Sequence, residues 1–246
     1  MKFDYIVSLG FFCGVAQELE RKGFREKSFP FDWVISNLKT VNDLIENKFN
    51  GLFDLNYLYK NEEFTDEVKH KKYIFNFYHD FDKNKTIEKQ IDKVQLKYER
   101  RIKRFYNLLN SSHAVLFVCY INDADPIGNV DMPNQIIKLV NLLNQYKLNY
   151  KIIFIKNREL ILNSVSDDEH ILIFDTEKDN NDSVNKKFIK TTFEINRYFK
   201  SQVEYDGIKK IRNLLYFYKK ELKKNLFKIY RKFLKKFSKN KSIINS

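Results

Sequence analysis

Residues 113–121, His-Ala-Val-Leu-Phe-Val-Cys-Tyr-Ile, form an apolar run without alternation. A strand with one wet face alternates apolar and polar side chains. An unbroken run needs cover on both faces, the condition of an interior strand in a parallel sheet flanked by helices. The surrounding pattern agrees. Residues 3–8 (Phe-Asp-Tyr-Ile-Val-Ser) read as a strand, Leu9-Gly10 as a break and 12–22 as a helix, with Gly23 placed to cap its C-terminal end. Helical spacing returns at Leu38, Val41, Leu44, Ile45 and Phe49, over the charged stretch 86–110, and at about 133–147. Further strands are expected at 150–155 and 170–174. Tyr73–Phe81 alternates, with Tyr73, Phe75, Phe77 and His79 on one face and Ile74, Asn76, Tyr78 and Asp80 on the other. Residues 52–72 look irregular, 175–183 are a polar loop and 184–207 are weakly patterned. Strands alternating with helices predict an α/β fold, a single domain with a mostly parallel sheet and flanking helices.

The charge is distributed unevenly. The chain carries 45 Lys and Arg against 32 Asp and Glu, a net +13. Residues 208–246 hold 14 of the bases and one acid, Glu221, so the remaining 207 residues are neutral overall. This divides the chain into an α/β domain, 1–207, and a basic amphipathic helical tail, 208–246. In the tail Ile208, Ile211, Leu215, Tyr218, Leu222, Leu226, Ile229, Phe233 and Phe237 step by three or four, and lysines fill the gaps. Such a helix suits an anionic membrane surface through residues 208–237. Packing on the body or pairing with another helix would also use its apolar side. Nucleic acid fits poorly, because few aromatics lie on the basic side and the body carries no excess charge.

Two cysteines in 246 residues make no disulfide framework, and neither CxxC nor Cys/His metal spacing occurs. No metal and no cofactor is expected: Gly10 and Gly14 do not make GxGxxG, and GxxxxGK is absent. The N-terminus is a poor signal peptide. It has one basic residue, Lys2, Asp4 precedes its apolar stretch, and Gly10-Phe11-Phe12 lacks the small residues of a cleavage site before Cys13. No apolar run approaches the ~20 residues of a membrane span. A cytoplasmic location, peripheral at most to the inner membrane face, is the expectation.

The candidate chemistry centres on Cys13. A strand, then Gly10, then a helix with the cysteine in its first turn places a thiol among free backbone amides, where ionisation is easier and an oxyanion or phosphate can be held. Asp123 and Asp125, after the strand 113–121, are expected near the same sheet edge. A thiol nucleophile needs a base. Of four histidines, His79 ends an aromatic strand face and is the best candidate. His70, in Lys69-His-Lys-Lys, is expected to be solvated, while His113 and His170 open strands. Asp80 lies on the opposite strand face from His79, so Asp32 is the better third member.

The motifs then match a family. Ser8-Leu-Gly-Phe-Phe-Cys13, Ala16, Leu19, Gly23-Phe-Arg25 and Ser28-Phe-Pro-Phe-Asp-Trp33 resemble the N-terminal signature of a papain-like cysteine peptidase family of otherwise unknown function. Phe77-Tyr-His-Asp-Phe81, Tyr98–Phe105 with Leu108-Leu109, and Leu116–Val118 extend the resemblance over about residues 4–120. It implies a Cys13 nucleophile, a His79 base and Asp32 as third member. It also implies a papain-like α+β fold, an alternative to the α/β reading. Cys119 stands where the family tends to carry Arg.

Three functions follow. The first is a cysteine hydrolase or peptidase acting on an unknown substrate, with Ser8, Gly10, Ser28 and Trp33 lining the substrate site. The second is a transferase or binding protein for a phosphorylated or nucleotide-linked small molecule in bacterial surface-glycan assembly. The third is a scaffold without catalysis.

Overall fold

The computed structural model describes residues 2–61, 67–121, 131–157, 162–165, 167–176 and 204–244, with side chains as far as Arg231 in the last segment. In chain order the elements are β1 (Lys2–Phe3), β2 (Tyr5–Ser8), α1 (Cys13–Arg21), β3 (Val34–Ser36), α2 (Leu38–Glu46), β4 (Leu58–Lys60), β5 (Val68–His70), β6 (Phe75–Phe77) and α3 (Ile91–Leu109). Then come β7 (Ala114–Ile121), α4 (Met132–Leu143), β8 (Asn149–Asn157), β9 (Ile171–Thr176), β10 (Glu204–Tyr205) and α5 (Gly207–Ile244).

The core sheet has the order β2-β7-β8-β9, and every pair in it is parallel. Strand β7 is interior, as its unbroken apolar run requires. Val115, Phe117, Cys119 and Ile121 enter one core with α2, α3, α4 and the second sheet. Leu116, Val118 and Tyr120 enter another with Val15 and Leu19 of α1. The fold is therefore α/β, a parallel sheet covered on both faces.

Between α1 and α3 the chain forms a second, antiparallel sheet, ordered β3-β6-β5-β4. Its presence corrects two readings. Within 52–72, read as irregular, lie β4 and β5. The strand expected over 73–81 is paired only at 75–77, so His79 leaves the sheet and its buried face. Tyr73, Phe75 and Phe77 are buried, whereas His79 is exposed.

Helix α1 ends where Gly23 was expected to cap it. Gly23 has φ +75°, and the Phe24 amide donates to the Leu19 carbonyl at 2.9 Å. Glycine is required there twice over, since a Cβ would also stand 2.8 Å from the Lys210 carbonyl oxygen of α5. The C-terminal helix thus crosses the end of α1 closely. It is led in by Asp206, whose Oδ1 accepts from the Ile208 and Lys209 amides at 2.9 and 3.2 Å. Just before it, β10 pairs in parallel with β1. Among the described residues no helix is long and apolar enough to cross a membrane. Asp123 and Asp125 lie outside the described residues.

Candidate functional site

Cys13 is the first residue of α1, reached from β2 by a turn with two successive left-handed residues, Gly10 (φ 93°) and Phe11 (φ 78°). Gly10 cannot be replaced without a shift, because a Cβ there would stand 2.3 Å from Ser36 Oγ. Phe11 carries a side chain in a conformation that costs ~1–2 kcal/mol. It is held by its carbonyl, which accepts from the Ser36 amide at 3.1 Å, and by ring contacts to Phe12 and Tyr120. Ser8 is buried and its Oγ accepts from the Gly10 amide at 3.2 Å. Both Ser8 and Gly10 therefore shape the turn that presents Cys13.

Two features of the thiol bear on chemistry. The first amides of a helix have no carbonyl one turn earlier to bond, and at the start of α1 no side chain caps them; the Cys13 amide reaches its own thiol. The Cys13 thiol is pushed up from its ordinary value, because burial outweighs the hydrogen bond from its own amide. That reverses the expectation drawn from the helix start alone: at rest Cys13 is a protonated thiol.

The fold separates the four histidines. His113 precedes β7 and contacts Asp4, and His170 precedes β9 and stacks on Tyr150 at 4.5 Å. Both lie at the N-terminal edge of the parallel sheet, whereas Cys13 follows the C-terminal end of β2. His70 is buried rather than solvated. Its Nδ1 accepts from the Lys72 and Tyr73 amides at 3.1 and 3.2 Å, and Nε2 lies 3.3 Å from the Gly51 carbonyl oxygen. Burial holds its ring below the ordinary histidine value, so it is neutral and structural. His79, just beyond β6, is exposed and contacts Trp33 edge-on with ring centroids 6.4 Å apart. No hydrogen bond joins it to Cys13 among the described residues.

The second half of the signature folds into a buried polar cluster. Asp32 is 1% exposed. Its Oδ2 accepts from Arg25 Nε at 3.0 Å and from the Phe29 amide at 2.9 Å. Burial pushes its carboxyl up, and Arg25 and the amide pull it back. Arg25 also donates to Ser28 Oγ at 2.6 Å, meets Glu20 at 3.5 Å and lies 5.2 Å over the Trp33 ring. Trp33 itself is left-handed, with φ 67°. Arg104 Nη1 donates to the Ser28 carbonyl. Asp32 is therefore bonded to Arg25 rather than to His79, and it fixes the loop on whose Trp33 His79 leans.

This cluster forms one wall of a cavity of about 430 Å³; Arg212, Asn213, Tyr216 and Lys220 of α5 form the opposite wall. Lys220 bonds Glu20 Oε1 at 2.8 Å and sits 5.9 Å over the other contact of Arg25, the Trp33 ring. Cys13 and Glu20 are seven residues apart on α1, so they share one helix face about 10 Å apart. The helix thus runs from the thiol at its start to the cavity at its end. Arg25, Glu20 and Lys220 were not singled out from the sequence. The only signal for them was Arg25's place in the Gly23-Phe-Arg25 motif.

Comparison with known proteins places this geometry. The model of a family described as "Putative papain-like cysteine peptidase (DUF1796)" matches residues 4–159. That span includes Cys13, Arg25, Asp32, Trp33 and His79, and excludes α5. Among curated proteins, "Uncharacterized protein R408" of Acanthamoeba polyphaga mimivirus is 29% identical over 132 residues, which is 46% of this chain and 59% of that protein. The chain thus matches less than two thirds of that relative's length. No solved structure matches.

Proposed function

The chain belongs to this papain-like cysteine peptidase family, and from that premise we propose that it is a cysteine hydrolase with Cys13 as nucleophile and His79 as general base. The observation that carries the reading is the placement of Cys13, partly exposed at the uncapped helix start that follows a strained strand-to-helix turn. His79 is the base by position. Two other histidines lie at the far edge of the sheet, and the third is buried against backbone. Among the described residues only ring contacts hold His79, and a base of this kind commonly closes on its nucleophile when substrate seats.

In the proposed reaction His79 removes the thiol proton as sulfur attacks an acyl carbon, and the oxyanion is held by the Cys13 and Gly14 amides. The proton passes to the leaving group, a thioester remains on Cys13, and water activated by His79 releases the acid. Asp32 acts as a positioning residue through Arg25 and Trp33. Ser28 and Trp33 line the cavity that receives the substrate.

The test is thiol labelling with limiting iodoacetamide across pH 5 to 9, with the modified residue located by mass spectrometry. Because burial keeps the resting thiol protonated, an activated pair shows as labelling of Cys13 that His79→Ala slows at least tenfold. Slow labelling that ignores His79 would refute the pair.

A second reading is a binding protein or transferase for a phosphorylated or nucleotide-linked molecule. It is favoured by the four cations, Arg25, Lys27, Arg212 and Lys220, that line the cavity beside Trp33. It ranks second because Glu20 and Glu26 already pair with three of them. Thermal stabilisation by nucleotides or nucleotide sugars would raise it, and none by any of them would remove it.

A further inference from the structure

An amphipathic helix appended to a domain ordinarily turns its apolar side inward, because burial of that side is what holds it there. Helix α5 does the reverse. The residues that meet the body are Lys209, which contacts Tyr5 and Glu26, Lys210 over Phe24, Asn213, which donates to the Gly23 carbonyl at 3.1 Å, and Lys220 on Glu20 and Trp33. Leu214 joins them against Gly23. These positions recur on one side of the helix. The apolar stripe Ile208, Ile211, Leu215, Tyr218, Leu222, Leu226 and Ile229 is 59–82% exposed and lies on the opposite side. At 100° per residue the stripe's centre is about 160° from the docking face. The sequence reading allowed the apolar half to pack on the body; the docked helix excludes that.

A continuous exposed stripe of this length marks an interaction surface. Its border identifies the partner. Lys219 and Lys223 flank it, with Tyr230 beside them, and 208–246 contains one acid among 14 bases. A second copy of the same helix would bring like charges together along the seam, where paired helices ordinarily alternate charge. An apolar strip edged by cations and tyrosines instead matches the boundary between acyl chains and anionic headgroups.

We infer that α5 lies on an anionic lipid surface with its apolar stripe in the bilayer interface, and that the domain rides on its opposite, polar side. The helix then sits between membrane and body, and the cavity it helps wall is held at the membrane surface. This inference is independent of the Cys13 chemistry.

The experiment is co-flotation of the full-length protein with vesicles of phosphatidylcholine alone or with 30% phosphatidylglycerol. The expected result is binding at least tenfold tighter to the anionic vesicles, weakened by salt. The triple substitution Leu222→Gln/Leu226→Gln/Ile229→Gln keeps the charge and lies beyond the last body contact at Lys220. It should lose at least tenfold. Lys219→Ala should lose about fivefold. Far-ultraviolet circular dichroism shows whether the helix persists in each variant. The inference is overturned if the wild type ignores anionic vesicles, or if the glutamine variant binds them as well as wild type does. It is equally overturned if, in the absence of lipid, the wild type sediments as a dimer and the glutamine variant as a monomer, or if RNA rather than lipid is retained in a stripe-dependent way.

Discussion

The two halves of the signature block, the turn at Cys13 and the cluster at Arg25–Trp33, differ in how their polar groups are satisfied. Asp32 is fully buried, yet its carboxylate is bonded to a guanidinium and an amide, and Arg25 has further bonds to Ser28 and Glu20. Cys13 is partly exposed, its thiol takes a hydrogen bond from its own amide and, among the described residues, from no side chain, and it follows a strained turn. Groups whose bonds are all made within the fold hold it together; groups left with open valence beside strain are where chemistry happens. By this criterion Asp32 belongs to the frame, and Cys13 is the residue on which the proposed chemistry would turn.

Substitutions sharpen or break that contrast. The largest effect is expected for Asp32→Ala, which leaves Arg25 buried without its main partner and should destabilise by ~3–5 kcal/mol in urea denaturation. A loss under ~1 kcal/mol would mean that Asp32 is not part of the frame. Gly10→Ala should cost about 1–3 kcal/mol, since the new methyl meets Ser36 Oγ in a left-handed turn. An unchanged urea midpoint would show that the turn relaxes freely.

Cys13→Ser should change stability by less than ~1 kcal/mol, the usual range for a near-isosteric change with no partner to lose, while abolishing labelling and hydrolysis together. Labelling of Cys13 in the His79→Ala protein should keep rising with pH past the ordinary thiol value, because burial holds the protonated form. A plateau below that value would show that something other than His79 ionises the thiol. Cys119, buried and pushed up to about 12, should stay unlabelled throughout. The smallest effect is expected for Lys220→Ala, below ~1 kcal/mol, because the Glu20–Lys220 pair is half-exposed. Differential scanning calorimetry would detect a larger loss, which would make α5 a stabilising part of the body.

The parallel sheet was legible because β7 is apolar on both sides and helices flank it with clear period. The antiparallel sheet was not, since its strands are three residues long and β4 and β5 carry Lys60, Lys69 and His70, which mask any alternation. His70 shows the same blindness at one residue. Its neighbours are lysines, and only the fold shows that the ring is packed between Tyr57 and Tyr73. Of the site, Cys13 and its turn could be read from strand, glycine and helix start. The left-handed Trp33 could not, because no local residue pattern signals it; in the fold its ring lies against Arg25. The amphipathic stripe of α5 was visible in sequence. The side on which the helix docks was not, because docking uses mainly long lysine stems and Asn213, with Leu214 lying off the apolar stripe that periodicity detects.

The pairing of Lys2–Phe3 with Glu204–Tyr205 has a consequence for the order of events during synthesis. Strand β2 needs β7, made more than a hundred residues later, and β1 needs β10, some two hundred residues later. Contacts of such separation form slowly. A nascent chain therefore exposes its Cys13 turn until residue 118 has emerged. It also leaves the cavity without its outer wall until α5 follows. The wall supplied by α5 is made after every residue it closes upon, so the cavity is completed later in synthesis than either sheet.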